Sequence, residues 1–256
     1  MTEPKNLKID TKDGVATITF ARPKHNVLNI DMMNELNAQL DALARDPELK
    51  CLVLLGEGPS WCAGVEVADH KPETVDQMIA VFNGIFERID RLEVPIIAGV
   101  HGACLGGGME VAIACDIIAA DPNAVFGQPE IKLGFLPPYA AIRLPQLVGP
   151  CRAVEICTTG RRYTAEAARQ MGMVAHIAED GKVSETVEKL VAEIRYCSPL
   201  IIRLNKRAVK AHLGLPFGDA LRGVSDLFLN TLMKTEDTLE GIASFEQKRR
   251  PEWKNR

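Results

Sequence analysis

Two carboxylates and a run of glycines are the residues of this 256-residue chain whose types and spacing could do chemistry. Glu110 sits in Met109-Glu110-Val111-Ala112-Ile113-Ala114, directly behind Gly106-Gly107-Gly108, and Glu130 follows Pro129. Among such apolar neighbours an ionised carboxylate is costly to bury unless it is paired or its pKa rises. Three glycines entering a helix cost roughly 1 kcal/mol each against alanine. Close strand–helix packing, with Glu110 solvated, would explain a glycine triplet on its own. Together with Glu130 and the upstream Cys62-Ala63-Gly64-Val65, the pattern favours backbone N–H groups turned towards a ligand, because a helix N-terminus offers unpaired donors. Donors beside two carboxylates suit proton movement next to a carbonyl: the N–H groups hold the developing enolate oxygen, and the carboxylates exchange protons with carbon or water.

Other chemistries fail on spacing. A dinucleotide fingerprint would need glycine at 106, 108 and 111, and position 111 is valine. G-K-[ST] is absent, and none of Ser60, Ser184, Ser198, Ser225 and Ser244 lies in G-x-S-x-G. His25, His70, His101, His176 and His212 form no H-E-x-x-H, so no metal site is suggested. A net charge of -4, a pI near 5.8 and 5% aromatic residues argue against a nucleic-acid partner. The uncharged stretch 94–109 is too short and too rich in glycine to span a membrane. Seven cysteines without a C-x-x-C pair or a signal-peptide pattern ahead of them suggest reduced, buried thiols in the cytoplasm.

The elements that must position these groups follow from periodicity. Residues 15–20 alternate as a half-buried strand; Asn29 or Asp31 can cap a helix striped by Met32/Met33, Leu36, Leu40 and Leu43. Residues 51–56 form a strand covered on both faces, followed by a loop over 57–64. A long helix begins near Thr74, with Val75, Met78, Ile79, Phe82, Ile85, Phe86 and Ile89 at three- and four-residue steps. Residues 94–99 and 117–120 are further strands, so the first half alternates β and α and predicts mostly parallel pairing covered by helices. Beyond Pro145, residues 152–157, 164–171 and 185–194 are helical, with a strand-like 174–177. Arg203, Lys206, Arg207 and Lys210 give one helical face four positive charges, expected to be solvated. Thr235 caps a last helix over 236–250. The chain divides into an α/β body, 1–195, carrying the active site, and a helical C-terminal region, 196–256.

Four stretches in this order resemble the enoyl-CoA hydratase/isomerase family, also called the crotonase superfamily: residues 22–28 (R-P-K-H-N-V-L), 60–67 (S-W-C-A-G-V-E-V), 102–116, and 126–130 (F-G-Q-P-E). The C-terminal S-F-E-Q-K-R-R-P, 244–251, is similar to that family's closing helix. The resemblance implies an α/β spiral of ββα units with a helical trimerisation region, assembled as a homotrimer or a dimer of trimers. It implies that Val65 and Gly107 donate the two oxyanion-hole N–H groups and that Glu110 and Glu130 hold a water for addition across a double bond conjugated to a thioester. It implies Ala63 at the substrate, with Lys24 and, across a subunit boundary, Lys248 as contacts for coenzyme A, which belongs to the substrate; no separate cofactor is expected.

Two departures from the pattern matter. Glu66 stands where the family usually has Asp. After Glu130 the family reads approximately G-x-x-P-G-A-G-G-T, and this chain reads Gly134-Phe135-Leu136-Pro137-Pro138-Tyr139-Ala140-Ala141. Two prolines fix φ and remove donors where flexible glycines are usual. A flat apolar slot lined by Leu136, Pro137 and Tyr139 is the expectation, and it resembles the branch that hydrates cyclohexa-1,5-diene-1-carbonyl-CoA, where conjugation places the acceptor carbon farther from the thioester and water adds 1,4. Neutral repacking of a straight-chain enoyl-CoA hydratase is the alternative. A double-bond isomerase needs only one carboxylate, and a non-catalytic CoA-binding scaffold would be expected to lose a carboxylate or the glycine triplet.

Overall fold

Alternation in the second strand turns Ala16, Ile18 and Phe20 inward, and the fold grows from that strand. The computed structural model describes residues 4–256. β1 (Leu7–Lys12) and β2 (Val15–Phe20) form an antiparallel hairpin. α1 (Ile30–Leu43) follows, capped by Asn29, whose side chain accepts from the Met32 N–H. Then come β3 (Cys51–Gly56), α2 (Val75–Arg91), β4 (Ile96–Val100), β5 (Ala103–Leu105), α3 (Gly107–Ala114), β6 (Ile117–Ala120) and β7 (Val125–Gly127). α4 (Ala140–Val148), α5 (Pro150–Thr159), β8 (Arg162–Thr164), α6 (Ala165–Gln170), β9 (His176–Ile177) and α7 (Val183–Arg195) complete the body, and α8 (Pro199–Lys210), α9 (Phe217–Asp226) and α10 (Glu236–Glu246) the C-terminal region.

The strands form a six-stranded sheet in the order β1-β2-β3-β4-β6-β9 and a three-stranded sheet, β5-β7-β8. Apart from the β1–β2 hairpin, every pairing in the larger sheet is parallel. Each turn of the spiral lays one strand in the larger sheet and the next in the smaller: β4 then β5, β6 then β7. Bridges from Cys62 to Cys104 and from Leu28 to Val65 extend the second layer towards the 57–65 loop. That loop is pinned from inside. Buried Asn26 donates to the carbonyls of Glu57 and Ser60, both at 2.8 Å, and Trp61 meets Phe20 edge-on and donates to Leu54 O. The main core lies between the sheets and α1, α2 and α3. α7 closes the outer face of the larger sheet with Val183, Val187 and Val191 against Cys51, Val53, Ile97 and Ala119.

Three features differ from expectation. α4 was not foreseen: Pro137 and Pro138 directly precede it and Pro145 lies inside it. The last helix stops at Glu246 rather than Arg250: Lys248 takes φ +53°, and the Arg249 N–H turns back to Ser244 O. The cationic face of α8 is not a solvated stripe. Lys206 has a side chain only 8% exposed, reaches Asp116 at 2.6 Å and Val94 O at 2.7 Å, and shares Asp116 with Lys210. Arg203 donates to Pro47 O and Asn255. Asp116 also accepts from the Ile96 N–H, so this cluster fastens the helical C-terminal region to the strand ends beside α3. Among the described residues no helix is long and apolar enough to cross a membrane.

Removing one partner of a shielded ion pair strands the other, at a cost of several kcal/mol when both are deeply buried and less where one is partly wet. Lys206→Met is therefore expected to destabilise the protein by about 2 kcal/mol, read as a lower urea midpoint, whereas Arg207→Met on the exposed side of the same helix should stay within roughly 0.5 kcal/mol of the parent.

Candidate active site

The strand-to-helix corner from β5 to α3 builds one side of the site. Each glycine of the triplet meets a different obstacle. Gly106 adopts φ +53°, and a Cβ there would sit 2.8 Å from a Glu130 carboxylate oxygen. At Gly107 it would lie 2.5 Å from the Val65 side chain and 3.0 Å from the ring of Phe82; at Gly108, 2.3 Å from Cys62 O. The triplet thus lets the start of α3 press against the 62–65 segment and Glu130. Gly107 is the first residue of α3, so its N–H has no partner within the helix, nor has it one elsewhere among the described residues.

The second donor comes from the facing loop. Leu28 N–H donates to Gly64 O, and Glu66 N–H to Leu28 O, each at 2.8 Å. Backbone groups alternate in direction along an extended chain, so Val65 sends its own N–H away from Leu28, and no described group accepts it. Glu66, the departure from the family pattern, pairs with Arg22 at 3.2 Å, and Arg22 also donates to Val27 O, bracing this loop.

Glu110 lies in the first turn of α3, a helix buried on every side, and is 2% exposed. Its Oε1 accepts two backbone N–H groups, from Tyr139 at 2.7 Å and Ala140 at 2.8 Å. These are among the orphan donors at the start of α4, and Pro137 and Pro138, having no N–H, make Tyr139 the first that the segment can offer. Burial pushes the Glu110 carboxyl up to about 8; the Ala140 and Tyr139 N–H groups oppose that shift, and neighbouring Glu130 adds to it. Glu130 sits on a 3₁₀ turn over 129–133 that ends at left-handed Gly134. Burial raises it to about 7. The side-chain amide of the fully buried Gln128 lies 3.0 Å from both oxygens of Glu130, and its nitrogen is assigned to face them because only that end can donate to a carboxylate. Both carboxyls are thus raised towards neutrality, where one can hold a proton while the other is ionised.

Both glutamates, Ala63, Val65, Gly107 and Leu136 line a single cavity of about 480 Å³. Pro137 and Tyr139 are not on its wall. Pro138 takes the place expected of Pro137, which is buried behind it, and the Tyr139 ring turns away to stack on Phe86, 3.8 Å between centroids and 6° between planes. Lys24 is exposed in the turn after β2, one residue from His25, whose carbonyl accepts the Ala63 N–H. Lys248 is exposed in the C-terminal turn and does not reach this cavity within the chain. Sequence reasoning missed Gln128, the donors of α4 and most of the apolar wall. Val75, Met78, Ile79 and Phe82 of α2 face the cavity; their stripe was legible as a helix face, and nothing in it marks a cavity wall. His70 also lines it, hydrogen-bonded through Nδ1 to Glu66 O and packed on Phe135.

The geometry can therefore polarise a carbonyl with two main-chain N–H groups while two carboxyl groups handle a proton at the same cavity. The chain is 33% identical to a short-chain-enoyl-CoA hydratase of Clostridium acetobutylicum, over 99% of this chain and 100% of that one. It is 31% identical to the cyclohexa-1,5-dienecarbonyl-CoA hydratase of Thauera aromatica, over 99% of this chain and 98% of that one. The crystal structure of an enoyl-CoA hydratase from Bacillus anthracis superposes with a TM-score of 0.93 at 28% identity, covering 98% of this chain and 100% of that one. The pattern of the family described as enoyl-CoA hydratase/isomerase matches residues 10–256, and the chain belongs to that family.

Proposed function

We propose that this chain is a hydro-lyase that adds water to a conjugated enoyl- or dienoyl-CoA thioester, with cyclohexa-1,5-diene-1-carbonyl-CoA as its substrate. The observation that carries the hydratase reading is that Glu110, Glu130, Val65 and Gly107 line one cavity, the last two with N–H groups that no described group accepts. The thioester oxygen accepts both N–H groups, which grip it more strongly as it gains enolate charge. The ionised carboxylate takes a proton from water as the water oxygen bonds to the β carbon, and the protonated one delivers its proton to carbon. In a chain the proton goes to the α carbon; in the ring diene it goes to the far end of the dienolate, the 1,4 outcome. The sum is one water added, with the pair returned to one proton.

The ring substrate is supported by the wall. Pro138 and Leu136, with Phe82, Phe135 and Met78, present a broad apolar surface in which a proline replaces flexible backbone. The similarity to the Thauera aromatica protein points the same way. A straight-chain substrate is the second reading, favoured by the open rim, where Leu133 is 59% and Leu136 71% exposed, and by the similarity to the Clostridium acetobutylicum protein. Lys24 and the partner copy's counterpart of Lys248 would contact the coenzyme A part. Self-association as a trimer or a dimer of trimers is supported by the exposed apolar side chains of α9 and the turn after it, Phe217, Leu221, Phe228 and Leu229. Seven free cysteines, four of them buried, fit a reducing cytoplasm.

Positioned acid–base groups contribute about 10²- to 10⁴-fold, so Glu110→Gln and Glu130→Gln are each expected to lower kcat by that order while calorimetry shows thioester binding largely kept. Near-parental turnover in either variant would remove that residue from the mechanism. The pH dependence has a definite sign. Below about 7 both carboxyls hold protons and no base is available; above about 8 both are ionised and no acid remains. Initial rates should trace a bell with its maximum between these limits. Comparing kcat/KM for the cyclic dienoyl-CoA and crotonyl-CoA decides the substrate: roughly tenfold or more in favour of the ring is expected, a ratio worth little over 1 kcal/mol of differential transition-state binding. Equal values or a preference for crotonyl-CoA would establish the straight-chain reading instead.

A further inference from the structure

The Tyr139 ring lies outside the cavity, yet its backbone N–H lies inside the site, on Glu110 Oε1. The ring stacks flat on Phe86 of α2. Phe86 in turn meets Phe82 edge-on, with centroids 4.8 Å apart and planes at 80°. Phe82 reaches the cavity, where its ring edge closes on Gly107, 3.0 Å from the position a Cβ would take. A continuous aromatic column therefore runs from the start of α4, through α2, to the start of α3. One end carries the donors to Glu110 and the other the Gly107 N–H. Aromatic contacts add to area burial and hold ring geometries in place.

We propose that Tyr139 is a positioning residue: its ring, clamped on Phe86, fixes the first turn of α4 so that the Tyr139 and Ala140 N–H groups hold the Glu110 carboxylate in register with the Gly107 donor. The inference rests on the hydratase reading only for its activity readout. Stiffness here has a purpose, since a displacement of about 1 Å in catalytic geometry can cost on the order of 10²-fold in rate. Position 139 is also where the chain most needs a substitute for contacts: the two prolines before it contribute no N–H of their own. The titratable groups around Glu110 are Glu130 on the 129–133 turn and Cys157 on α5, whose thiol feels both carboxylates.

The test compares Tyr139→Phe, Tyr139→Leu and Phe86→Leu in the full chain. Tyr139→Phe keeps the stack and should hold kcat within about twofold. Tyr139→Leu and Phe86→Leu should lower kcat about tenfold or more with KM within about twofold, the split expected of lost transition-state geometry. Weaker N–H donation disfavours the ionised carboxylate, so both leucine variants should also shift the Glu110 carboxyl titration, followed by carbon-13 NMR, and the alkaline limb of the rate profile to higher pH. Circular dichroism confirms folding, and Phe86→Leu tests the same column if Tyr139→Leu does not fold. A folded leucine variant that matches Tyr139→Phe in kcat and in the Glu110 titration would overturn the proposal. A parent protein that hydrates neither thioester would overturn the hydratase reading, and the NMR titration alone would then decide this one.

Discussion

The rest of the site depends on keeping the Glu110 carboxyl out of water while denying it a cation. Burying an ionised carboxylate in an apolar interior costs several kcal/mol, and a salt bridge would offset that by locking the charged form in place. The fold supplies only two main-chain N–H groups, at 2.7 and 2.8 Å, and a second carboxylate nearby. Partial compensation leaves the group able to gain or lose its proton near neutrality. A full ion pair would have produced a more stable corner without that capacity. The same logic applies to Glu130, which has an amide beside it rather than an arginine or lysine.

In the proposed reaction, backbone rather than side chains carries the other half of the chemistry. Val65 and Gly107 offer donors because of how the chain is threaded: one by alternation from the Leu28 bridge, the other by standing first in a helix. Such donors require no rotamer to be frozen and cannot be titrated. They do require two chain segments to approach closely, which explains the cost accepted at the glycine triplet and the buried pins, Asn26 and Trp61, that hold the 57–65 loop. Strain and satisfaction are thus distributed: glycine relieves contact at the corner, and polar groups one layer out secure the loop.

Much of this was legible in the residues themselves. The β then α alternation, the Asn29 cap and the covered strand 51–56 follow from periodicity that tertiary packing does not override. Glu110, Glu130 and the glycines stand out because each is locally expensive. The first turn of α4 was not legible, since three prolines in nine residues point to a loop and nothing local says that the N–H groups behind them serve a carboxylate 29 residues earlier. The α2 stripe looks like core because a cavity wall and a core present the same apolar periodicity. Lys206 looks like surface because its partner, Asp116, is 90 residues away in sequence. In each case the missing information is a long-range contact, which a one-dimensional pattern does not encode.

The division between a rigid corner and an open rim has a consequence for how such a protein can diversify. Positions 106, 107 and 108 are each blocked by a different neighbour, so a side chain there would need simultaneous changes in several segments. Along the rim, Leu133, Phe135 and Leu136 are partly or largely solvent-facing and carry none of the hydrogen bonds that hold Glu110. Under the proposed function, which acyl group is accepted can therefore change one residue at a time along the rim, whereas the glycine corner can change only together with its neighbours.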